Sequence, residues 1–488
     1  MVKMHGYNGE PAHLGRVLVL GLGKSGTVAA EYCLGLLGSR VDEVAIAAGA
    51  RSESSERAAE GFAERGAKVL FDHFEIEGEY DLCIASPGIS EFSDFYASAK
   101  KASGEIVSEV EFAWRESAAD ARWVAITGTN GKTTTTALTA HLLREGGLRA
   151  VACGNIGDTC LGEVMKGEAD VYVAEVSSYQ LASTVDFAPD VAVLLNITPD
   201  HVKWHRTHEN YKLAKFKVFA NLHRADHGLC VLDATNGEVR EKVRAMRAQT
   251  REQRGFDYVP VGCADGLSAS MHDKCGSENA AWIDEGWLCV RFGERVERII
   301  AVDDLQIKGE HNANNALAAA SVALGMGLDA RTVAEGLRTF APLEHRIEPC
   351  GTVRGVACYN DSKATNVDAT LKALAAFGEK RPIVLLGGDD KGTDLSELVS
   401  AAEEHCKEVV CFGAAGPRFS AAFDGSSCPR KDAEHLSDAL DVALDDAQEG
   451  DIVVLSPACA SFDEFTCFEE RGEVFKSLVA KCREAMGA

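Results

Sequence analysis

The stretch WVAITGTNGKTTTTALTAHLL, Trp123 to Leu143, constrains the chain more than any other. An apolar run from Val124 to Ile126 reaches Gly128, Gly131, Lys132 and Thr133, after which a helical pattern begins. Strand, glycine turn, Lys-Thr and helix describe a loop that cradles phosphates on backbone amides. The common spacing G-x-x-x-x-G-K-[ST] is not met: Gly128 lies three residues before Gly131, so the loop is two residues short. Lys132 is placed to neutralise β/γ-phosphates and the Thr133 hydroxyl to ligate Mg²⁺.

At 488 residues the chain exceeds what one core supports, so several domains are expected. The apolar runs, such as VAVLLNI and IVVLS, have strand length and fall far below a membrane span. The start MVKMHGYNGE has no apolar signal core, which argues against secretion. Sixteen cysteines occur singly without C-x-x-C, as reduced core residues of a cytosolic chain do. A net charge of −25 argues against a broad nucleic-acid surface, so neither nucleic acid nor membrane is expected as a partner.

Three segments alternate strand and helix, giving an α/β class with three domains, bounded near 1–110, 111–341 and 342–488. The first opens with RVLVLGLGKSGTVAAEYCLGLL, where Gly21, Gly23 and Gly26 follow a strand and precede a helix. A dinucleotide site needs an acidic residue after the next strand, and IAAGAR supplies none. A phosphate-bearing ligand other than NAD is therefore expected. The turn in DLCIASPGIS is placed to line the same crevice.

In the middle segment VYVAE puts Glu175 at the tip of an apolar strand, where a carboxylate is costly unless it meets a cation. VLLNITPDH delivers Asp200 and His201 at the next tip. His201, His205 and His208 lack the accompanying ligands of a zinc site. In the helix expected from Tyr211, Tyr211, Ala214, Val218, Phe219 and Leu222 share one stripe, with Lys215 at its middle. A lysine there either snorkels or is recruited for chemistry as a free amine able to capture carbon dioxide as a carbamate. The charged run EVREKVRAMRAQTREQR reads as a solvated helix, and two short strands are expected around Trp282 and Leu288.

In the third segment NDSKATN, GGDDKGTD and SPACASFDEFTCFEERG are unusually polar for strand ends. Lys363, Lys391 and Ser461 could together hold a small acid with two carboxylates. Three such stretches on one sheet edge favour a binding site over scattered surface cations.

Taken together these motifs resemble the Mur ligases, ATP-dependent amide-forming enzymes of peptidoglycan precursor synthesis. GTNGKTTT is similar to the short phosphate loop of that superfamily, which folylpolyglutamate synthases share. GNIG, EVSSYQL, TPDH, HNANNALAA, EHRIE and NDSKATN extend the resemblance over nearly the whole chain. The ending SPACASFDEF…FEERG resembles the D-glutamate-adding branch, and the D-N-P-R of the diaminopimelate- or lysine-adding branch is missing.

The resemblance implies a Rossmann-like, UDP-binding N-terminal domain, a central P-loop-type ATPase domain with a mostly parallel sheet, and a Rossmann-like C-terminal domain. It further implies ATP held by Gly128, Thr129, Asn130, Gly131, Lys132, Thr133 and Thr134, with Asn312, Asn315, Arg346 and Asp361. Two Mg²⁺ ions would be held by Thr133, Glu175, His201 and a carbamylated Lys215. Lys24, Ser25, Arg51 and Ser86 would face the UDP group of UDP-N-acetylmuramoyl-L-alanine, and Asn155 and Gln180 its muramoyl part. His201, Lys363, Thr365, Lys391, Ser461 and Phe468 would surround D-glutamate. A cytoplasmic monomer is expected. The family commonly carries an acidic residue where this chain reads IAAGAR, which leaves uridine recognition to other groups.

Overall fold

A computed structural model describes residues 12–51, 53–262, 278–378, 380–390 and 392–485. The N-terminal decapeptide considered above lies outside them. The chain divides into two compact units, one with the first two of three sheets and Asn314–Thr339, the other with the third sheet and Gln306–Ala313.

The first sheet comprises β1 (Gly15–Leu20), β2 (Val41–Gly49), β3 (Lys68–Phe71), β4 (Tyr80–Ala85) and β5 (Ser103–Ser108). Its order is β3-β2-β1-β4-β5, parallel throughout. Helices cover parallel sheets on both faces, so their strands read as continuous apolar runs. Val17 to Leu20 are accordingly buried completely. The order reverses at β1, which opens a crevice beyond the carboxyl ends of β1 and β4.

The second sheet contains β6 (Arg122–Thr127), β7 (Ala150–Gly154), β8 (Val171–Glu175), β9 (Val191–Leu194), β10 (Leu229–Asp233), β11 (Asp257–Gly262), β12 (Ala280–Asp284), β13 (Trp287–Phe292) and β14 (Arg295–Ala301). The order β14-β13-β12-β11-β10-β9-β6-β8-β7 puts β6 between β9 and β8, so the phosphate loop sits at the switch point. The strands from β7 to β12 pair in parallel, and β12, β13 and β14 close the edge antiparallel. The third strand of that edge escapes the sequence pattern because RVERII exposes Arg295 and Arg298 at the rim, with Glu297 half-buried.

The third sheet contains β15 (Glu348–Val353), β16 (Val356–Asn360), β17 (Ile383–Gly387), β18 (Glu408–Phe412), β19 (Arg430–Asp432) and β20 (Ile452–Ala458), ordered β15-β16-β20-β17-β18-β19. β15 is antiparallel to β16 and the remaining pairs are parallel. NDSKATN, SPACAS and GGDD therefore leave the same edge from three adjacent strands.

Two local expectations are revised. The helix expected from Tyr211 starts at His208, because Thr207 caps it by accepting from the Asn210 amide at 3.1 Å. It ends at Phe216 and continues as 3₁₀ turns, yet Tyr211, Ala214, Val218, Phe219 and Leu222 are all buried. The charged run forms the helices Gly237–Arg247 and Arg251–Arg254, and the first is only half solvated, since Val239, Val243 and Met246 enter the core. All fourteen cysteines among the described residues are unpaired, eleven of them buried. Among the described residues no helix is long and apolar enough to cross a membrane.

Candidate active site

The loop after β6 is held from outside the chain segment that forms it. Thr129 donates its amide to the Asn196 carbonyl at 2.8 Å, and the Asn130 amide reaches the Asn196 side-chain oxygen at 2.8 Å. The Thr129 hydroxyl meets the Tyr211 hydroxyl at 2.8 Å. Gly131 adopts φ +83, a left-handed conformation glycine takes without a Cβ penalty. A Cβ there would come within 2.6 Å of the Asn315 side-chain oxygen. The helix Lys132–Glu145 starts here, aiming its free amides at the loop. Thr133 and the buried Thr134 occupy its first turn. Lys132 folds over the loop, its Nζ donating to the carbonyls of Gly128 and Thr129 at 2.9 Å each.

Lys215 does not snorkel. It is 1% exposed, with Nζ donating to the Gly128 carbonyl at 2.7 Å and lying 4.8 Å from the Tyr211 ring centre. Burial, reinforced by the charge of Lys132, pushes its pKa well below the ordinary lysine value, against the opposing effects of Asp200 and Glu175. The side chain is thereby biased toward a neutral amine.

Glu175, at the tip of β8, is also 1% exposed. One carboxylate oxygen accepts from the Asn155 amide at 2.8 Å, and the other is buried with no hydrogen-bond partner among the described residues. Such an atom is expensive in a protein interior unless a cation meets it. His201 sits in the left-handed region, φ 53, its Nδ1 2.7 Å from the Tyr179 hydroxyl and its Nε2 3.4 Å from Asp200. His205 is fully buried, bonds Ser178 at 2.9 Å, and has its pKa lowered to about 4 by burial, then by His201 and Lys215. The groups of side chains able to share a metal ion among the described residues do not bring His201, His205 and His208 together.

Gln180 closes a capping box with Ser177, accepting from the Ser177 amide and hydroxyl at 2.8 Å each. Of the residues expected at the N-terminal crevice, Lys24, Ser25 and Ser86 line one cavity of about 480 Å³, and Arg51 does not. Arg51 is engaged by Glu56 at 2.6 Å and by Asp72 at 3.4 Å, and lies over the Phe71 ring. Lys24 donates to the Gly157 carbonyl at 2.7 Å, joining the first sheet's loop to the GNIG turn.

In the second unit Lys363 stands 3.6 Å from the centre of the Phe468 ring, a close cation–π contact. The Thr365 amide donates to the Lys363 carbonyl at 2.8 Å, and Ser461 is 2% exposed. Asp361 accepts from Ser456 at 2.7 Å, and burial raises its pKa to about 7 despite Ser456 and Arg346. Asn312 belongs to this unit and bonds the Lys308 carbonyl, whereas Asn315 belongs to the first. Lys391 lies outside the described residues.

Several functional neighbours escaped the sequence. Arg471 is wholly buried and donates to the carbonyls of Cys459, Ala460 and Ser362 and to the Ser362 hydroxyl. Asn196 and Tyr211 hold the loop after β6, while Tyr179 packs against His201, Trp204 and His205. Asn196 had a signal: it is polar directly after an apolar strand, as Glu175 is.

A short glycine-lysine loop at the switch point of a mostly parallel sheet, with a buried lysine and carboxylate beside it, is the setting of a nucleotide-phosphate site. The chain belongs to the Mur ligase family. Residues 126–323 match the Mur ligase middle domain and residues 345–459 the Mur ligase, glutamate ligase domain. It is 38% identical over 419 residues to the UDP-N-acetylmuramoylalanine–D-glutamate ligase of Thermoanaerobacter pseudethanolicus, covering 83% of this chain and 85% of that one. It is 36% identical over 487 residues to the like-named ligase of Caldanaerobacter subterraneus, covering 96% and 98%. In fold it is similar to the UDP-N-acetylmuramate-alanine ligase of Thermotoga maritima, with a TM-score of 0.53 at 17% identity over 96% of this chain and 99% of the other. These likenesses make it a three-domain α/β ligase that depends on ATP.

Proposed function

We propose that the chain joins D-glutamate to UDP-N-acetylmuramoyl-L-alanine at the expense of ATP, in the cytoplasm, as a step of peptidoglycan precursor synthesis. Residues 1–110 hold the UDP substrate, 111–341 the ATP and 342–488 the amino acid. The observation that supports this best is the pair of buried groups beside the phosphate loop, a lysine biased toward its amine and a carboxylate with one bare oxygen.

Thr133 and Glu175, the latter with one buried oxygen lacking a partner among the described residues, offer the oxygen ligands magnesium takes. Thr133, Glu175, His201 and a carbamylated Lys215 are the residues that would hold two ions, whose charge would offset that of the phosphates. The Lys215 carbamate forms when the neutral amine bonds the carbon of CO₂ and loses a proton. Lys132 and the amides of Asn130 to Thr134 orient the γ-phosphate, with Asn312, Asn315, Arg346 and Asp361 assigned to the rest of the nucleotide. An oxygen of the L-alanyl carboxylate attacks that phosphorus and ADP leaves, giving an acyl phosphate. The D-glutamate amine then attacks the acyl carbon, and the tetrahedral adduct loses phosphate to leave the amide. Catalysis is positioning plus charge stabilisation in a water-poor site. Lys363, Thr365, Lys391, Ser461 and Phe468 are assigned to D-glutamate, and Asn155 and Gln180 to the muramoyl part.

Phosphate release from ATP tests this, with UDP-N-acetylmuramoyl-L-alanine present and D-glutamate, L-glutamate, L-lysine or meso-diaminopimelate added singly. Release with D-glutamate alone is expected. Release with another amino acid would move the chain to a sister activity, and release with none would refute the reading.

A further inference from the structure

The cavity beyond β1, β2 and β4 is lined by two chemically distinct sets of residues. One is polar: Gly23, Lys24 and Ser25 at the start of the helix Lys24–Gly35, with Ser86, whose hydroxyl donates to the Gly21 carbonyl at 3.2 Å. The other is aromatic, with Phe74 and Phe95 in the wall. Phe95 is 8% exposed, and Phe74 stands edge-on to it, ring centres 5.3 Å apart at 76°. That contact fixes the Phe74 ring in place while leaving the residue half exposed, at 50%. A single exposed apolar residue means little. A ring packed edge-on against a second ring, in a cavity also lined by Lys24, Ser25 and Ser86, is different, because it offers a planar group a ready surface.

The described residues lining the cavity include no carboxylate. The tip of β2 is Gly49, φ +81, which has no side chain to place against a base. Asp72, at the end of the neighbouring strand, is occupied by the Arg51 amide at 3.0 Å and by its guanidinium. Among the described residues, no carboxylate in this wall is placed to accept the N3–H of a uracil.

We propose that Phe74 is the base-recognising residue of the cavity: the uracil of a uridine nucleotide stacks on its ring and is read by its face and outline, not through its N3–H. This rests on the functional reading above, which puts a UDP group in this cavity. Stacking of a base on an aromatic side chain supports roughly fivefold to a hundredfold in affinity.

Calorimetric titration with UDP, using the full chain and its variants, tests the assignment. Phe74→Ala weakens UDP about tenfold, and Phe74→Trp keeps it within about threefold. In turnover, Phe74→Ala raises KM for the UDP substrate and leaves kcat and the KM values of ATP and D-glutamate in place, a split that mere structural damage would not give. N3-methyl-UDP binds the unaltered protein within about threefold of UDP. Unchanged UDP affinity in Phe74→Ala, or N3-methyl-UDP bound more than about tenfold more weakly than UDP, would overturn the stacking role alone. Failure of the unaltered protein to bind UDP would overturn it together with the functional reading.

Discussion

Lys215 and Gly128 are joined by a 2.7 Å hydrogen bond from the lysine amine to the first glycine carbonyl of the phosphate loop. Lys132 reaches the same carbonyl at 2.9 Å. Two amines thus converge on one oxygen, and only Lys215 is fully enclosed. The proximity of two positive groups adds to the desolvation that disfavours its charged form.

Replacing Lys215 by alanine is expected to lower turnover by about a thousandfold, the scale of losing a preorganised charge at a reacting centre. Added short carboxylic acids should restore part of the activity by filling the carbamate's place. Phosphate release measured with and without such acids checks both. Wild-type rates in the unrescued variant would remove the carbamate.

Lys132→Ala should abolish acyl phosphate formation, with a rate loss on the order of a thousandfold. Trapping the acyl phosphate by hydride reduction during a single turnover distinguishes this from a defect in amide formation. Intermediate accumulating at the normal rate would contradict the role given to the loop.

Gly131→Ala tests the turn itself. A left-handed φ and a 2.6 Å approach to Asn315 together penalise any side chain. The cost should be about 1–3 kcal/mol, read as a lowered unfolding midpoint and weaker ATP binding. Tolerance without either effect would mean that the loop relaxes freely.

His205 gives a pH signature. Its pKa falls to about 4 in the folded state from an ordinary 6.5. The unfolded chain therefore binds more protons between those values, and stability present above pH 6.5 is lost as pH falls toward 4. The melting temperature should decline over that window, and His205→Asn should flatten the decline. Parallel curves for the two proteins would show that His205 is not the group responsible.

Much of this organisation is legible in the chain because apolar strands end abruptly in chemistry. Glu175 ends VYVAE, Asn360 ends β16 with Asp361 directly after it, and Ser456 interrupts IVVLSPA. Periodicity also marked Lys215, though it left two fates open; only three-dimensional enclosure by Tyr211, Thr127 and the loop decides between them. Gln180 was assigned to substrate by resemblance, and local capping geometry shows that its side-chain oxygen already serves Ser177. Long-range partnerships such as Thr129 with Tyr211, 82 residues apart, leave no trace in spacing. Charged edge strands like β14 mimic loops for the same reason that they stay soluble at a sheet's rim.

Arg471 ties the turn after β20 to the turn after β16, with four donor contacts to residues 362, 459 and 460. The two turns are therefore mechanically one object, although about a hundred residues separate them in the chain. On the proposed reading these turns belong to the amino-acid site, and a site of this construction resists piecemeal retuning. A change in one turn strains the shared guanidinium and is transmitted to the other, so a new amino-acid preference would require substitutions in both turns at once. The same rigidity presents a competing small molecule with a wall already in its working shape.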